Sequence, residues 1–270
     1  MWLTATPVFL YNPYAVINGA FVTMTNEQTN DVPQTEAPEY SSVSDIAQEG
    51  VFLEMAKAGV LYGHKKSRKD PHFGEFVFAI RNGVEIIDLE QTVSHIDEMA
   101  EKLSQLKKDG KSVMVVGTQP AARESVKRLA ETLESPYVVN KWIGGLITNF
   151  PVISERIEYF KKQKESEKNN KFSDYTKKER LMIHREIEKM TDKFEGLDGY
   201  TRTPDAMFLI DGSIKGHKAA LREARRKDIP VFGIIDNDDN PELFDNIIPA
   251  NDHARSAIEW VVNDLVEKIT

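Results

Sequence analysis

The stretch SVMVVGTQPAARESVKRLAETL (Ser112–Leu133) decides the fold. Its first part, SVMVVG, is a short apolar run rich in β-branched residues, which is typical of a strand buried on both faces. The second part, TQPAARESVKRLAETL, has helical periodicity, and we expect Thr118 to cap this helix. A buried strand that passes directly into a helix is the unit from which parallel sheets are built.

The same alternation recurs in the last third of the chain. DAMFLID (Asp205–Asp211) predicts a buried strand, and IKGHKAALREARRKD predicts the helix after it. PVFGIID (Pro230–Asp236) and NIIPA predict two more strands, and DHARSAIEWVVNDLVEKI predicts the closing helix. Together these segments predict an α/β fold with a parallel sheet that is covered by helices on both faces.

Two further segments depart from this alternation. FVFAI and VEIIDL flank the turn signal Arg81-Asn82-Gly83 and predict a pair of short strands. Residues 151–199 are dense in charge with apolar residues at helical spacing, which predicts a projecting antiparallel helical hairpin inserted between residues 45–150 and 200–270 of the α/β domain. Two roles remain open for the hairpin, a solvated spacer and a docking arm.

The leading segment differs in composition from the rest of the chain. The net charge is −8, and the seven acidic residues before Lys57, the first basic residue, leave a balance of only −1 over the remainder. We expect residues 1–44 to be an acidic, disordered N-terminal extension without a targeting presequence, and we expect Met24 to be the native start. Because salt screens charges beyond about 10 Å, local basic clusters rather than the net charge decide the partner.

Several functional classes are disfavoured by what the sequence lacks. The absence of cysteine excludes disulfides, thiolate zinc sites and cysteine nucleophiles, and it fits a cytoplasmic protein. No apolar run reaches the ~20 residues of a membrane-spanning helix, so we expect no membrane partner. The loop VVGTQPAARE lacks G-x-G-x-x-G, and the six histidines show no paired metal-ligand spacing. We therefore expect no catalytic residue, cofactor, metal site or small-molecule substrate.

One enzymatic alternative remains. Asp211, Asp236 and Asp238 follow predicted strands, and carboxylates at strand ends can hold magnesium. A magnesium-dependent enzyme acting on a phosphorylated substrate would use them. We favour a simpler role for these residues, because aspartate followed by Gly or Asn commonly forms turns and caps helices.

Two loops favour RNA as the partner. YGHKKSRKDPHFGEF (Tyr62–Phe76) places four cations beside aromatic residues and glycines, a combination that suits phosphates and unpaired bases. NKWIGGLITNF (Asn140–Phe150) combines a cation, two glycines that permit close backbone approach, and an amide. Its Trp142 either stacks on RNA or packs against the sheet edge, and packing is the more frequent role of a Trp beside apolar residues.

Six stretches of the chain, in this order, resemble the small-subunit ribosomal protein S2 family in its bacterial form. They are AGVLYGHKK, RNGVEIIDLEQT, VMVVGTQPAARE, NKWIGGLITNF, PDAMFLID and IPVFGIIDNDDNP. As a set they are highly specific, and the resemblance extends from about Ser44 to the end of the chain. The resemblance implies a Rossmann-like α/β domain with a projecting helical hairpin, and the hairpin favours the bacterial or organellar branch.

The resemblance also implies the function. The family forms a structural, non-enzymatic part of the small ribosomal subunit, binds ribosomal RNA, and helps neighbouring small-subunit proteins to assemble and dock during translation. The chain has Gln119-Pro120 where the family usually carries Lys-Arg, which weakens the expectation of an RNA contact there. Carried over by position, the RNA-binding residues are His64, Lys65, Lys66, Arg68, Lys69, Arg81, Asn82, Lys141, Trp142 and Asn149.

Overall fold

The computed structural model describes residues 43–65, 67, 69–169, 172 and 175–270. The expected acidic extension and the expected start at Met24 lie outside the described residues, as do Lys66 and Arg68. The chain divides into two units after Lys57. Among the described elements, the first unit holds helix α1 (Val43–Ala58) except for its last residue, and the second unit holds all the others.

The second unit alternates strands and helices. Its strands are β1 (Tyr62–Lys65), β2 (Val77–Arg81), β3 (Val84–Ile87), β4 (Val113–Val116), β5 (Tyr137–Val138), β6 (Ala206–Ile210), β7 (Val231–Ile235) and β8 (Asn246–Pro249). Its α-helices are α2 (Leu89–Lys108), α3 (Arg123–Thr132), α4 (Phe150–Lys168), α5 (Lys177–Phe194), α6 (Lys215–Arg226) and α7 (Arg255–Ile269). Two short 3-10 helices cover Pro71–Phe76 and Pro241–Leu243.

Five strands form a parallel sheet in the order β5-β4-β6-β7-β8. Every residue of β4, β6 and β7 is buried, as the continuous apolar runs predict. Because all five strands run in the same direction, the loops that follow them begin at one edge of the sheet, where ligands of such folds usually bind.

Helices cover both faces of this sheet, as the sequence predicts. On one face, Met114 of β4 and Leu209 of β6 pack in a cluster with Leu221 of α6 and the buried side of α4 and α5. The intervening strand residues point to the opposite face because side chains alternate along a strand. Helix α2 packs against α7 and β8 there, and α3 packs against α7 and β4. Each large aliphatic side chain that is fully buried in these layers contributes about 1.5–3 kcal/mol.

A smaller antiparallel sheet has the order β1-β3-β2. Its turn is the predicted Asn82-Gly83 pair, which joins β2 to β3 with both residues at positive φ, 52° and 77°. This conformation matches the twist of the two flanking strands, and asparagine and glycine adopt it most readily. The predicted pair of short strands is confirmed.

The two helices predicted within residues 151–199 are confirmed as α4 and α5. They pack against each other through buried apolar side chains, among them Ile157 and Phe160 of α4 and Ile187 of α5. Most of their remaining residues are exposed. No helix in the described ranges is both long enough and apolar enough to cross a membrane.

The predicted cap of α3 is wrong. This helix begins only at Arg123, and its N-cap residue, Ala122, has no side chain that could cap it. Thr118 instead contacts the buried His217 of α6: its backbone N–H donates to Nε2 at 3.1 Å, and its hydroxyl lies 2.9 Å from the same atom. The chain turns between Thr118 and the start of the helix, where the Ala122 N–H donates to the Gln119 carbonyl at 3.1 Å.

Candidate nucleic-acid interface

The loop from Asn140 to Phe150, here the glycine loop, is built around one buried carboxylate from α6. Oε1 of Glu223 accepts hydrogen bonds from Trp142 Nε1 at 3.1 Å and from the Gly145 backbone N–H at 2.8 Å. Oε2 accepts from the backbone N–H groups of Ile147 and Thr148 and from the Thr148 hydroxyl, at 3.1–3.2 Å. Five donors therefore converge on one side chain that is only 8% exposed, and they fix the shape of the loop.

These donors also determine the charge of Glu223. Burial alone would raise the pKa of this carboxyl, but the hydrogen bonds from Gly145, Trp142, Thr148 and Ile147 outweigh burial and hold its pKa below the ordinary value. The carboxylate is therefore ionised at neutral pH. The glycine loop is thus organised by an acidic residue that lies at least 73 positions further along the chain.

The glycine loop presents some of the predicted RNA-binding residues and buries another. Lys141 and Asn149 are exposed, and Asn149 precedes α4 without a capping hydrogen bond from its side chain. Gly145 has φ +88° and lies so close to Asn149 that an added Cβ would come within 3.2 Å of the Asn149 Cβ. Trp142 is 5% exposed and belongs to the core cluster. Of the two roles that the sequence left open for Trp142, the structure shows packing in the core, and a contact of this residue with RNA stays a prediction.

In the basic segment, Tyr62 to Lys69, the two lysines that the structure describes differ in how free they are to contact a phosphate. Lys65, at the end of β1, is exposed. Lys69 instead forms an ion pair with the fully buried Glu85 of β3, with Nζ and Oε1 3.2 Å apart. Its charge offsets a buried carboxylate, a role that the sequence did not predict.

His64 is also turned toward the protein rather than displayed as a stacking surface. Its Nδ1 lies 2.6 Å from Oδ2 of the buried Asp236, and its backbone N–H donates to Oδ1 of Asn237 at 2.5 Å. The segment and the loop after β7 are thereby joined. The ring is edge-on to the imidazole of His253, with centroids 4.6 Å apart.

The remaining predicted residues lie at the tip of the small sheet. Arg81 and Asn82 are both exposed, at the end of β2 and in the turn that follows. Arg81, Asn82, Lys65, Lys141 and Asn149 are thus the five predicted residues, among those described, whose exposure suits a nucleic-acid contact.

A second constellation lies where β6, β7 and β8 end. We call it the carboxylate cluster; it consists of Asp211, Asp236, Asp238, Asp239 and Asp252. The expected turns are present, since Oδ1 of Asp211 accepts from the Ser213 N–H at 2.8 Å and Oδ1 of Asp236 accepts from the Asp238 N–H at 3.1 Å. The sequence pointed to Asp211, Asp236 and Asp238 as acids that gather at the strand ends, but it missed that Asp252 joins them. A signal for Asp252 was present, because it follows the neighbouring strand β8 and parallel strands end at one edge of the sheet.

Burial and mutual repulsion shape the acidity of this cluster. Burial, followed by the hydrogen bond and charge of Asp236, raises the pKa of Asp238 to about 7. Burial, followed by the charges of Asp236 and Asp211, raises the pKa of the fully buried Asp252 well above its usual range. Asp236 differs, because His64 and the Asp238 backbone offset its burial and hold its pKa below the ordinary value.

Comparisons with known proteins agree with this architecture. The family model described as Ribosomal protein S2 matches residues 55–270. The chain is similar to proteins named small ribosomal subunit protein uS2 from three bacteria. The protein from Parabacteroides distasonis is 38% identical over 80% of this chain and 77% of that relative. The protein from Bacteroides thetaiotaomicron is 37% identical over 78% and 76%. The protein from Dictyoglomus turgidum is 35% identical over 81% and 88%.

Proposed function

Since this chain belongs to the ribosomal protein S2 family, we propose that it binds ribosomal RNA through exposed cations and amides at the strand-end edge of its sheet. Family membership implies a structural, non-enzymatic role in association with the ribosome. We place it in cytoplasmic ribosomes, bound to small-subunit ribosomal RNA and to neighbouring small-subunit proteins.

The observation that carries this proposal is the glycine loop. Glu223 and its five donors hold the loop in one conformation, while Lys141 and Asn149 remain exposed on it. A loop that is already ordered loses little conformational entropy when it meets its partner. Its cation supplies phosphate attraction, and its amide can bond a base edge or a ribose hydroxyl.

Lys65 and Arg81 extend the proposed interface beyond the glycine loop. Lys65 ends β1, and Arg81 ends β2 of the same small antiparallel sheet. His64 contacts Asp236, which joins this sheet to the edge at which β7 ends. Contacts of this kind recognise the shape and charge of a folded RNA rather than its sequence.

The magnesium-dependent enzyme considered from the sequence receives no support from the geometry. Its catalytic metal would have to face a substrate, yet Asp211 and Asp236 are each only 1% exposed. Asp238 is partly exposed, and among the described residues the charges that act on it are mainly those of the buried carboxylates Asp236 and Asp211, which the imidazole of His64 offsets only in part. A phosphorylated substrate would meet repulsion there.

The hairpin supports a role as a docking arm. Leu181 and Met182, adjacent on α5, are 48% and 62% exposed, and Tyr159 on α4 is 49% exposed. Large apolar side chains on an arm that is otherwise charged are suited to a protein partner. We propose that neighbouring small-subunit proteins pack against this hairpin during assembly.

Sedimentation tests the proposed function directly. Tagged full-length protein from a lysate should migrate with small ribosomal subunits in a density gradient, and high salt should release it because phosphate contacts are salt-dependent. A variant carrying Lys65→Gln, Arg81→Gln and Lys141→Gln should be released at lower salt than the wild type. Wild-type protein that stays at the top of the gradient at low salt, or a triple variant that is released at the same salt concentration, would contradict the proposal.

A further inference from the structure

Helix α6 displays positive charge along one face. The charged side chains that this helix exposes are all basic, and they are Lys215, Lys218, Arg222, Arg225 and Arg226. At about 3.6 residues per turn, these positions fall within an arc of about 100° around the helix axis. They extend over roughly 16 Å along that axis, because an α-helix rises about 1.5 Å per residue. We call this surface the basic face of α6.

No acidic side chain of the described residues neutralises the basic face. The acid of α6, Glu223, is buried and accepts hydrogen bonds from the glycine loop. None of the five cations forms an ion pair with a described carboxylate. Arg225 donates to the backbone carbonyl of Glu242 at 2.7 Å, which leaves its charge uncompensated. Every other α-helix that the structure describes exposes charges of both signs.

The placement of these cations opposes the stability of the helix. Arg222 is four residues from both Lys218 and Arg226, and like charges at that spacing on a helix repel each other. Lys215 begins the helix, where the backbone dipole favours a negative group. The first turn contains no acidic residue, and the N-cap residue makes no side-chain hydrogen bond there. Because the fold gains nothing from this arrangement, a negatively charged partner is its simplest explanation.

The basic face adjoins the glycine loop. Gly216 is in the first turn of α6, and an added Cβ at this position would lie 3.7 Å from the Cβ of Trp142. Lys141 directly precedes Trp142, so the cation of the glycine loop lies near this first turn. Helix α6 connects β6 to the parallel strand β7, and it therefore runs from the strand-end edge back to the opposite edge of the sheet. A partner held at the glycine loop can continue along the basic face.

The composition of the basic face discriminates between kinds of partner. No aromatic or large apolar side chain is exposed between Lys215 and Arg226. Protein interfaces are anchored by such side chains and are depleted of lysine. Single-stranded RNA is usually bound by stacking its bases on aromatic rings. A row of cations alone suits the phosphates of double-stranded RNA, which proteins recognise by its shape and its backbone.

We propose that the basic face of α6 binds the phosphate backbone of a double-stranded segment of ribosomal RNA. This inference rests on the proposed function, because it adds a second contact to the RNA that the glycine loop holds. The five cations supply phosphate attraction without reading the base sequence. Glu223 belongs to the same helix as these cations, so the helix that carries the second contact also holds the glycine loop in place.

The salt dependence of RNA binding tests the proposal with the full-length chain. The triple variant Lys218→Gln, Arg222→Gln and Arg226→Gln removes three cations from the basic face. For small-subunit ribosomal RNA, it should lower the slope of log K against log salt by about 2–3, at roughly 0.7–0.9 for each lost phosphate contact. Its melting temperature should be no lower than that of the wild type, because repulsion between like charges is removed. The measured loss of binding will then not result from unfolding.

A matched triple variant controls for the change in net charge. Lys102→Gln, Lys107→Gln and Lys108→Gln remove three exposed cations from α2, on the opposite face of the sheet, and should leave the slope unchanged. An equal reduction in both triple variants, or no reduction in the basic-face variant, would overturn the inference. If Lys141→Gln lowers the slope and the basic-face variant does not, this inference fails while the proposed function stands. If neither lowers it, both fail.

Directed cleavage identifies what the basic face contacts. The chain has no cysteine, so Arg222→Cys provides a single attachment point for an iron chelate that generates hydroxyl radicals. In reconstituted small subunits this probe should cleave both strands of one RNA duplex, and the same probe on Lys102→Cys should leave that duplex intact. Cleavage restricted to unpaired nucleotides, or no cleavage of RNA, would overturn the proposal. Loss of a neighbouring protein from particles that carry the basic-face variant, with RNA binding unchanged, would make that protein the partner instead.

Discussion

Trp142 donates its indole N–H to the carboxylate of Glu223, 81 positions further along the chain, at a distance of 3.1 Å. This contact connects α6 to the glycine loop and turns the aromatic ring away from solvent. The same carboxylate receives four further hydrogen bonds from the loop. The loop that carries Lys141 is therefore positioned from within the protein, before any partner arrives.

Replacing Glu223 with Gln should destabilise the protein by about 2–4 kcal/mol, because five donors would face a neutral amide that carries two hydrogens of its own. Chemical unfolding monitored by circular dichroism measures the change. Glu186→Gln, at an exposed position of α5, is the control and should stay within about 0.5 kcal/mol of the wild type. Equal stability of the two variants would show that the donors do not depend on the charge.

The stabilisation from Glu223 should depend on pH. Its pKa in the folded protein lies below the ordinary value, so its contribution is complete above the pKa of the unfolded chain, about 4.5, and is lost as pH falls through the lower folded pKa. The gap in unfolding free energy between wild type and Glu223→Gln should therefore be constant near neutrality and shrink in acid. If this difference in unfolding free energy widened as pH falls, the pKa of Glu223 would be shifted in the opposite direction, which would contradict this assignment.

Two lysines of the predicted RNA-binding set should behave differently. Lys141→Gln should reduce the salt dependence of RNA binding by roughly 0.7–0.9 in the slope of log K against log salt, the value for one lost phosphate contact. Lys69→Gln should leave that slope unchanged and lower stability by about 1–3 kcal/mol, because Glu85 loses its ion-pair partner.

Filter binding to small-subunit ribosomal RNA at several salt concentrations measures these slopes. Lys102→Gln, an exposed position on α2, serves as the control and should match the wild type. A slope lowered by Lys69→Gln as much as by Lys141→Gln would mean that Lys69 contacts phosphate in the complex.

Gly196 should not tolerate alanine. Its φ is +83°, and an added Cβ would lie 2.4 Å from the ring of Tyr137. We expect Gly196→Ala to cost about 2–4 kcal/mol from backbone strain and overpacking together. Gly199→Ala, where an added Cβ would have open space, should cost far less, and thermal unfolding of the pair measures the contrast. Similar melting temperatures for the two variants would show that Tyr137 moves aside easily.

The exposed apolar residues of the hairpin should affect the binding of partner proteins and not the stability of the fold. Leu181→Glu combined with Met182→Glu should leave the unfolding free energy nearly unchanged, since both side chains are exposed. The variant should still join the small subunit while it recruits less of a neighbouring protein, which quantitative mass spectrometry of purified particles would detect. Unchanged protein composition would favour the spacer role for the hairpin.

The order of strands and helices was predictable from sequence because the patterns that specify each element are local. Buried runs such as VMVV, the Asn82-Gly83 turn and the helical spacing within residues 151–199 each specify an element without reference to distant residues. The side chains of the site were less predictable. Lys69 resembles a surface ligand in sequence, and the sequence left both stacking on RNA and packing open for Trp142. In the structure each is bound by a carboxylate from another element. Those partners, Glu85 and Glu223, are distant in sequence and are not marked by any local pattern.

A cryo-EM reconstruction of small ribosomal subunits that contain this chain tests the proposed contact between the glycine loop and ribosomal RNA most directly. We predict continuous contact between ribosomal RNA and the exposed side chains of Lys141 and Asn149, with the Trp142 ring still packed inward on Glu223. A map in which the glycine loop faces open solvent, or faces only protein, would contradict the central claim that this loop is a preformed RNA contact.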